Sequence, residues 1–215
     1  MPLYIDAKII KKNFQKIAEM YNKTPDVVLK SNAYGFGIEN IVPILSDTNC
    51  KRVFVADVNE ALRVRHLNKH LEIVIFGAIG SQDKNDKEFF LTHKITPTIT
   101  DIGNIITPED YYNLMKSRNK NYSREQIMND NKEGFATYLE VFKHVPCVLE
   151  INVGMNRGGI DADKVEALLP LLKSLPIVMI MAHLNITAEL VMNPINILQK
   201  QRFDGVLQLF PSTIK

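Results

Sequence analysis

The sequence predicts an α/β fold built on a parallel sheet, and two alternating periodicities carry that expectation. Short, continuous apolar runs read as buried strands at 27–29, 53–55, 71–76, 95–100, 145–151 and 177–182. Between them lie helix-like stretches at 39–45, 58–66, 81–90, 107–116, 162–172 and 194–209. Strands that are apolar on both faces, alternating with amphipathic helices, are the pattern of βα units around a parallel sheet.

Composition narrows the class. Hydrophobic residues make up 46% and charged residues 23%, which is too apolar for a disordered chain and too mixed for a fibre. At about 100–200 residues per domain, 215 residues make one large domain, or one domain and a piece of another. Lys plus Arg number 26 against 24 Asp plus Glu, so a net charge of +2 gives no electrostatic reason to expect nucleic acid or anionic lipid as a partner. Cys50 and Cys147 make neither a disulfide framework nor a zinc cluster, and they suit a reduced cytosol. The opening residues Met1 to Asp6 lack the charged and apolar regions of a signal peptide. The longest apolar run, 176–182, falls far short of the roughly 20 residues of a membrane span. A soluble, cytoplasmic protein is expected.

Two helix starts are marked. Thr107-Pro108-Glu109-Asp110 offers a cap, a proline suited to the first turn, and two acids for the positive end of the dipole. Asp161 is expected to cap 162–172 in the same way. The polar stretch 116–134, rich in Asn and Lys, reads as a solvated loop or surface helix. A partner-binding insertion is the other reading, and nothing in its residues favours it. No internal repeat is evident.

Ligands of parallel βα folds sit at the carboxyl ends of the strands, and several such ends carry unusual residues. Lys30 closes the run 27–29. A lysine there can form a Schiff base with a carbonyl compound, or it can snorkel at the sheet rim. Ser31-Asn32-Ala33-Tyr34-Gly35-Phe36-Gly37 follows, with glycines that admit a close ligand and a tyrosine that can meet an anion. Arg157 lies among turns after the fifth strand, suited either to a cleft or to a surface ion pair. His183 ends the sixth strand, where a lone histidine more often serves the core or the rim. His66, His70, His93 and His144 are scattered and form no metal spacing with an acid, so no metal site is expected.

Taken together, these segments resemble alanine racemase, the fold-type III pyridoxal-phosphate enzyme. Val28-Leu29-Lys30-Ser31-Asn32-Ala33-Tyr34-Gly35-Phe36-Gly37 is similar to the family's V-x-K-A-N-A-Y-G-H-G signature. Gly154-Met155-Asn156-Arg157-Gly158-Gly159 is similar to its G-M-N-R-L-G segment, and His183-Leu184 to the start of H-x-A-x-A-D-E. Pro194-Ile195-Asn196-Ile197-Leu198-Gln199 with Arg202-Phe203 follows the family's P-x-N-x-x-Q…R-F helix. The resemblance implies a (β/α)8 barrel holding pyridoxal 5'-phosphate at its mouth. It implies that Lys30 carries the cofactor and then acts as the base toward the D-enantiomer. Tyr34 would contact the phosphate, Arg157 the ring oxygen and the substrate carboxylate, and His183 the pyridine ring. L-alanine and D-alanine would be interconverted for peptidoglycan synthesis.

The same resemblance sets limits. In the family the seventh and eighth strands carry further phosphate and ring contacts. A carboxy-terminal β-domain supplies a tyrosine as the second base, from the other subunit of a homodimer. The expectation for residues 1–215 is therefore a truncated amino-terminal barrel domain. It would have about six of eight βα units, a polar insertion at about 116–134, and little or no racemase activity alone. The dimer is not expected to be retained. Leu3-Tyr4-Ile5 would be a strand deprived of its sheet. Phe36, Gly158, Asn185 and Ala188 depart from the pattern. Glu150 stands where many members have a carbamylated lysine and would give Arg157 a shorter anion. Half of a split enzyme, a stand-alone pyridoxal-phosphate module of the homeostasis type, and a non-catalytic interaction protein are the other readings.

Overall fold

The structure is a computed structural model that describes residues 4–76, 87–117, 123, 125, 139–185 and 193–214. The chain divides into two compact units, Met1–Gly77 with Glu88–Thr96, and Ala78–Lys87 with Pro97–Lys215.

The first unit opens with helix α1 (Ala7–Tyr21), capped by Asp6, whose carboxylate accepts the Lys8 and Ile9 amides. Asn22 ends it in the left-handed conformation. Four short strands follow in sequence order, β1 (Val27–Val28), β2 (Arg52–Val55), β3 (Glu72–Ile75) and β4 (Ile95–Thr96), and each pairs parallel with the next. Helices α2 (Ile38–Ser46), α3 (Val58–Leu67) and α4 (Lys87–His93) lie in the connections. Val53, Val55, Ile73 and Ile75 of the strands and Ile38, Val42, Ala61 and Val64 of the helices are buried together as its core. Burying such side chains contributes about 1.5–3 kcal/mol each relative to exposure.

Charge closes the amino end of this sheet. The Arg52 guanidinium pairs with Asp26 at 3.0 Å, just before β1, and with Glu72 of β3 at 2.8 Å. Arg65, buried on α3, donates to the carbonyls of His93, Lys94 and Asn68 at 2.8, 2.9 and 3.3 Å. It thereby satisfies carbonyls at the end of α4 that the helix leaves open.

The second unit is built on β6 (Cys147–Asn152). One edge of β6 pairs with β8 (Ile177–Ala182). The other pairs first with β5 (Thr98–Ile99) and then with β7 (Ile160–Asp161), all parallel. A register shift at Cys147/Val148 leaves Val178 unpaired, and it is exposed in an otherwise apolar strand. Helices α5 (Pro108–Ser117), α6 (Leu139–His144), α7 (Val165–Leu172) and α8 (Pro194–Leu207) complete the unit. No helix among the described residues is long and apolar enough to cross a membrane.

Several sequence expectations need correction. The run 95–100 is two strands rather than one. Pro97 has no N–H for the ladder and stands between β4 and β5, where the chain passes from one unit to the other. Asp161 does not cap a helix. It pairs within β7, and α7 begins only at Val165, with Lys164 in the cap position. Tyr4 and Ile5 are not in a strand, because the chain turns directly into α1 at the Asp6 cap. Thr107 does cap α5, accepting the Asp110 amide at 3.2 Å. The first part of the helix expected at 81–90 and most of the polar stretch 116–134 lie outside the described residues.

Candidate active site

Each unit carries one cluster at the carboxyl ends of its strands. In the first, Leu29 extends β1 by donating its N–H to the Phe54 carbonyl at 2.7 Å, and Lys30 follows at once. The Lys30 amine lies 5.9 Å from the centre of the Phe76 ring, which stacks on Phe54 with centroids 4.7 Å apart. Among the described residues the amine has no hydrogen bond and no ion pair. It is a partly buried cation beside an aromatic face, not one spent on a structural pair.

The backbone after Lys30 is unusual. Ser31, Asn32, Ala33 and Tyr34 have φ of 55°, 55°, 54° and 53°. This is a turn of left-handed helix, closed by Ala33 N–H to Leu29 O at 2.7 Å and Gly35 N–H to Ser31 O at 3.0 Å. Left-handed residues other than glycine cost about 1–2 kcal/mol each, and they persist only where the surroundings hold them. Here Asn32 is held at three points. Its N–H donates to Glu60 Oε1 at 2.7 Å, and its Oδ1 accepts from Arg63 Nη2 at 2.7 Å and from the Ile38 N–H at 3.1 Å. The turn brings Tyr34, 60% exposed, onto the same short segment as Lys30.

The second cluster lies beyond β6 and β8, whose ends are in register, Ile151 opposite Ala182. Arg157 is exposed in the turns after β6, and His183 is half-buried one residue past β8. Asn152 shapes the first of these loops. Its Oδ1 accepts the Gly154 and Asn156 amides, both at 3.0 Å, and its Nδ2 donates to Asn156 and Asp161. From α8, Arg202 donates to the Val153 carbonyl at 3.1 Å, and Gln199 accepts the Asn185 N–H at 3.0 Å. Asn185 in turn reaches the Gly154 carbonyl at 3.3 Å. Glu150, buried inside this end of β6, has its carboxyl pushed above the usual range by burial, with the Arg157 charge acting in the opposite direction.

The sequence-derived residues thus fall into two pairs, Lys30 with Tyr34 and Arg157 with His183, each within one unit. Glu60, Arg63 and Asn152, which hold the loops, were not singled out from sequence. Glu60 and Arg63 had a signal, since residues three apart share one face of α3. Asn196 and Gln199 are buried on α8 while Ile195, Ile197 and Leu198 are exposed, an inversion that periodicity alone reads wrongly.

The family model of the alanine racemase N-terminal domain matches residues 5–113 and 122–215. The chain belongs to the alanine racemase N-terminal domain family. The alanine racemase of Rickettsia prowazekii is 28% identical over 216 residues, covering 98% of this chain and 46% of that protein. The alanine racemase of Rickettsia rickettsii is 27% identical over 213 residues, covering 97% and 52%. Among solved structures, alanine racemase from Bartonella henselae, which carries covalently bound pyridoxal phosphate, superposes with a TM-score of 0.68 at 25% identity. That match covers 97% of this chain and 53% of that one. The Pseudomonas aeruginosa biosynthetic enzyme gives the same TM-score at 19% identity, covering 97% and 50%. The fold is the parallel α/β architecture of the family's barrel domain, in part. The chain spans about half the length of the curated relatives it matches.

Proposed function

We propose that this chain holds pyridoxal 5'-phosphate through Lys30 and supplies one of the two proton-transfer groups that interconvert L-alanine and D-alanine. The observation that carries the reading is the Lys30 amine. It stands at a strand end, partly buried, without an acid partner among the described residues, on a turn that also presents Tyr34. An amine so placed is chemically available to the carbonyl of an aromatic aldehyde. Phe76 and Phe54 give that end of the sheet an aromatic wall. The residues present therefore fit the cofactor.

Lys30, Tyr34, Arg157 and His183 are the residues that would hold it. Bound pyridoxal phosphate supplies an electron sink for the charge left on the α-carbon of an amino acid. Lys30 Nζ would hold the cofactor, and the same amine would be the group that takes or returns a proton on one face of that carbon. The Tyr34 hydroxyl would donate to the phosphate. The Arg157 guanidinium would attract the substrate carboxylate, and its charge favours the ionised form of the buried Glu150. His183 would pack against the ring. Inversion needs a proton donor on the opposite face, and the reading assigns that group to a second chain, as in a split enzyme. The reading includes a cytoplasmic, reducing compartment, and the two free cysteines support it.

The test is a visible-absorbance titration of the purified chain with pyridoxal phosphate. The reading expects a saturable band near the visible edge, absent from Lys30→Ala. An equal band in Lys30→Ala, with both chains folded by circular dichroism, overturns it.

A further inference from the structure

We propose that Glu60 is a positioning residue whose carboxylate clamps the left-handed turn, so that Lys30 is presented to pyridoxal phosphate. This rests on the reading of Lys30 as the cofactor lysine. Four consecutive left-handed residues, two of them Ser31 and Ala33, are not a conformation the chain keeps by itself. The turn must be held from outside, and Glu60 is the group that holds its backbone. It is only 7% exposed, near the start of α3. Oε1 accepts the Asn32 N–H at 2.7 Å, in the middle of the turn. Oε2 accepts the Ala56 N–H at 2.8 Å, at the end of β2. One carboxylate thus ties the turn to the strand beside β1.

The clamp is itself fixed. The Glu60 N–H donates to the Asp57 cap at 2.9 Å, and Ala61 and Val64 anchor α3 in the core. Three residues on, Arg63 grips the Asn32 side chain at 2.7 Å while both its remaining contacts go to Glu39 at 2.8 and 2.6 Å. Asn32 is therefore held through its backbone by Glu60 and through its amide by Arg63. Asn32 stands two residues from Lys30 and two from Tyr34, so the clamp sets both ends of the turn.

A glutamine at position 60 keeps the shape but has one acceptor oxygen for two amides. Two readouts separate positioning from plain stability. The first needs no cofactor and measures amide hydrogen exchange of the peptide 30–37 in the unloaded chain. The second is the dissociation constant for pyridoxal phosphate. Glu60→Gln is expected to speed exchange in 30–37 and to weaken cofactor capture by about tenfold or more, the scale of one hydrogen bond to a charged acceptor. Arg63→Ala, which removes the second grip from the surface, is expected to do the same more weakly and keeps the test available if Glu60→Gln does not fold. Val64→Ala destabilises the same helix without touching the turn and is expected to leave capture within about twofold. Capture by Glu60→Gln equal to wild type, or weakened no more than in Val64→Ala, overturns the proposal. Unchanged exchange in 30–37 also overturns it, with or without cofactor. Failure of the wild-type chain to capture cofactor overturns the Lys30 reading instead, and is seen before any variant is compared.

Discussion

Replacing Gly159 by alanine should destabilise the second unit far more than the same change at Gly35 destabilises the first. Both glycines have positive φ, +96° and +86°, so an added side chain meets similar backbone strain, about 1–2 kcal/mol. Their surroundings differ. A Cβ on Gly159 would stand 2.6 Å from Asn152 N, 2.7 Å from Ile151 C and 3.0 Å from Glu150 O. All three are backbone atoms of β6, which is paired on both edges and cannot swing aside. Nor can residue 159 withdraw freely, because its N–H donates to the Thr100 carbonyl at 2.7 Å. A Cβ on Gly35 meets nothing within 4 Å. Overpacking a rigid site adds about 1–3 kcal/mol, so Gly159→Ala should cost about 2–5 kcal/mol and Gly35→Ala about 1–2 kcal/mol. Urea titrations followed by far-ultraviolet circular dichroism would measure both. Equal shifts of the midpoint, or a larger shift for Gly35→Ala, would refute the claim that close approach to β6 fixes the loop bearing Arg157.

Three further outcomes follow from burial and charge. Burial raises the Glu150 carboxyl above its ordinary 4.5, so between that value and the raised one the folded chain holds a proton there that the unfolded chain releases. Stability from this group is full below pH 4.5 and is lost as pH rises through the raised value. The urea midpoint of Glu150→Gln relative to wild type should therefore climb from pH 4 toward neutrality, and a pH-independent difference would contradict this. Burial pushes the Cys50 thiol up to about 11 and the Cys147 thiol up to about 12. Alkylation by iodoacetamide at pH 8 should then run at least about 100-fold slower in the native chain than in urea, and comparable rates would show the thiols to be accessible. Arg65→Met strands three carbonyls and should cost about 2–3 kcal/mol by thermal denaturation; a loss under about 0.5 kcal/mol would mean water replaces the guanidinium.

The core strands were legible because they obey one rule. Runs such as Val53-Phe54-Val55 and Ile177–Ala182 are continuously apolar and rich in β-branched residues, and they form β2 and β8 with little change of boundary. Helix α1 had a readable start at Asp6 and apolar residues four apart at Ile10, Phe14 and Ala18, yet only Phe14 is buried, so a search for buried faces passes over it. Strand β7 was beyond reach. Two residues, Ile160 and Asp161, pair with β6 because the Asn152 network folds the intervening loop back, and nothing local announces that. The candidate site divides in the same way. Lys30 and Tyr34 were marked by residue type and by the resemblance. The left-handed path between them depends on Glu60, 28 residues from Asn32 in sequence, and only the fold discloses that contact.

The most direct measurement is to mix the chain with pyridoxal phosphate, reduce with borohydride, digest, and locate the cofactor mass by peptide sequencing in the spectrometer. The account predicts a near-stoichiometric adduct on Lys30 and little elsewhere. An adduct spread over exposed lysines such as Lys8, Lys12 and Lys23, with Lys30 unmodified, would contradict it.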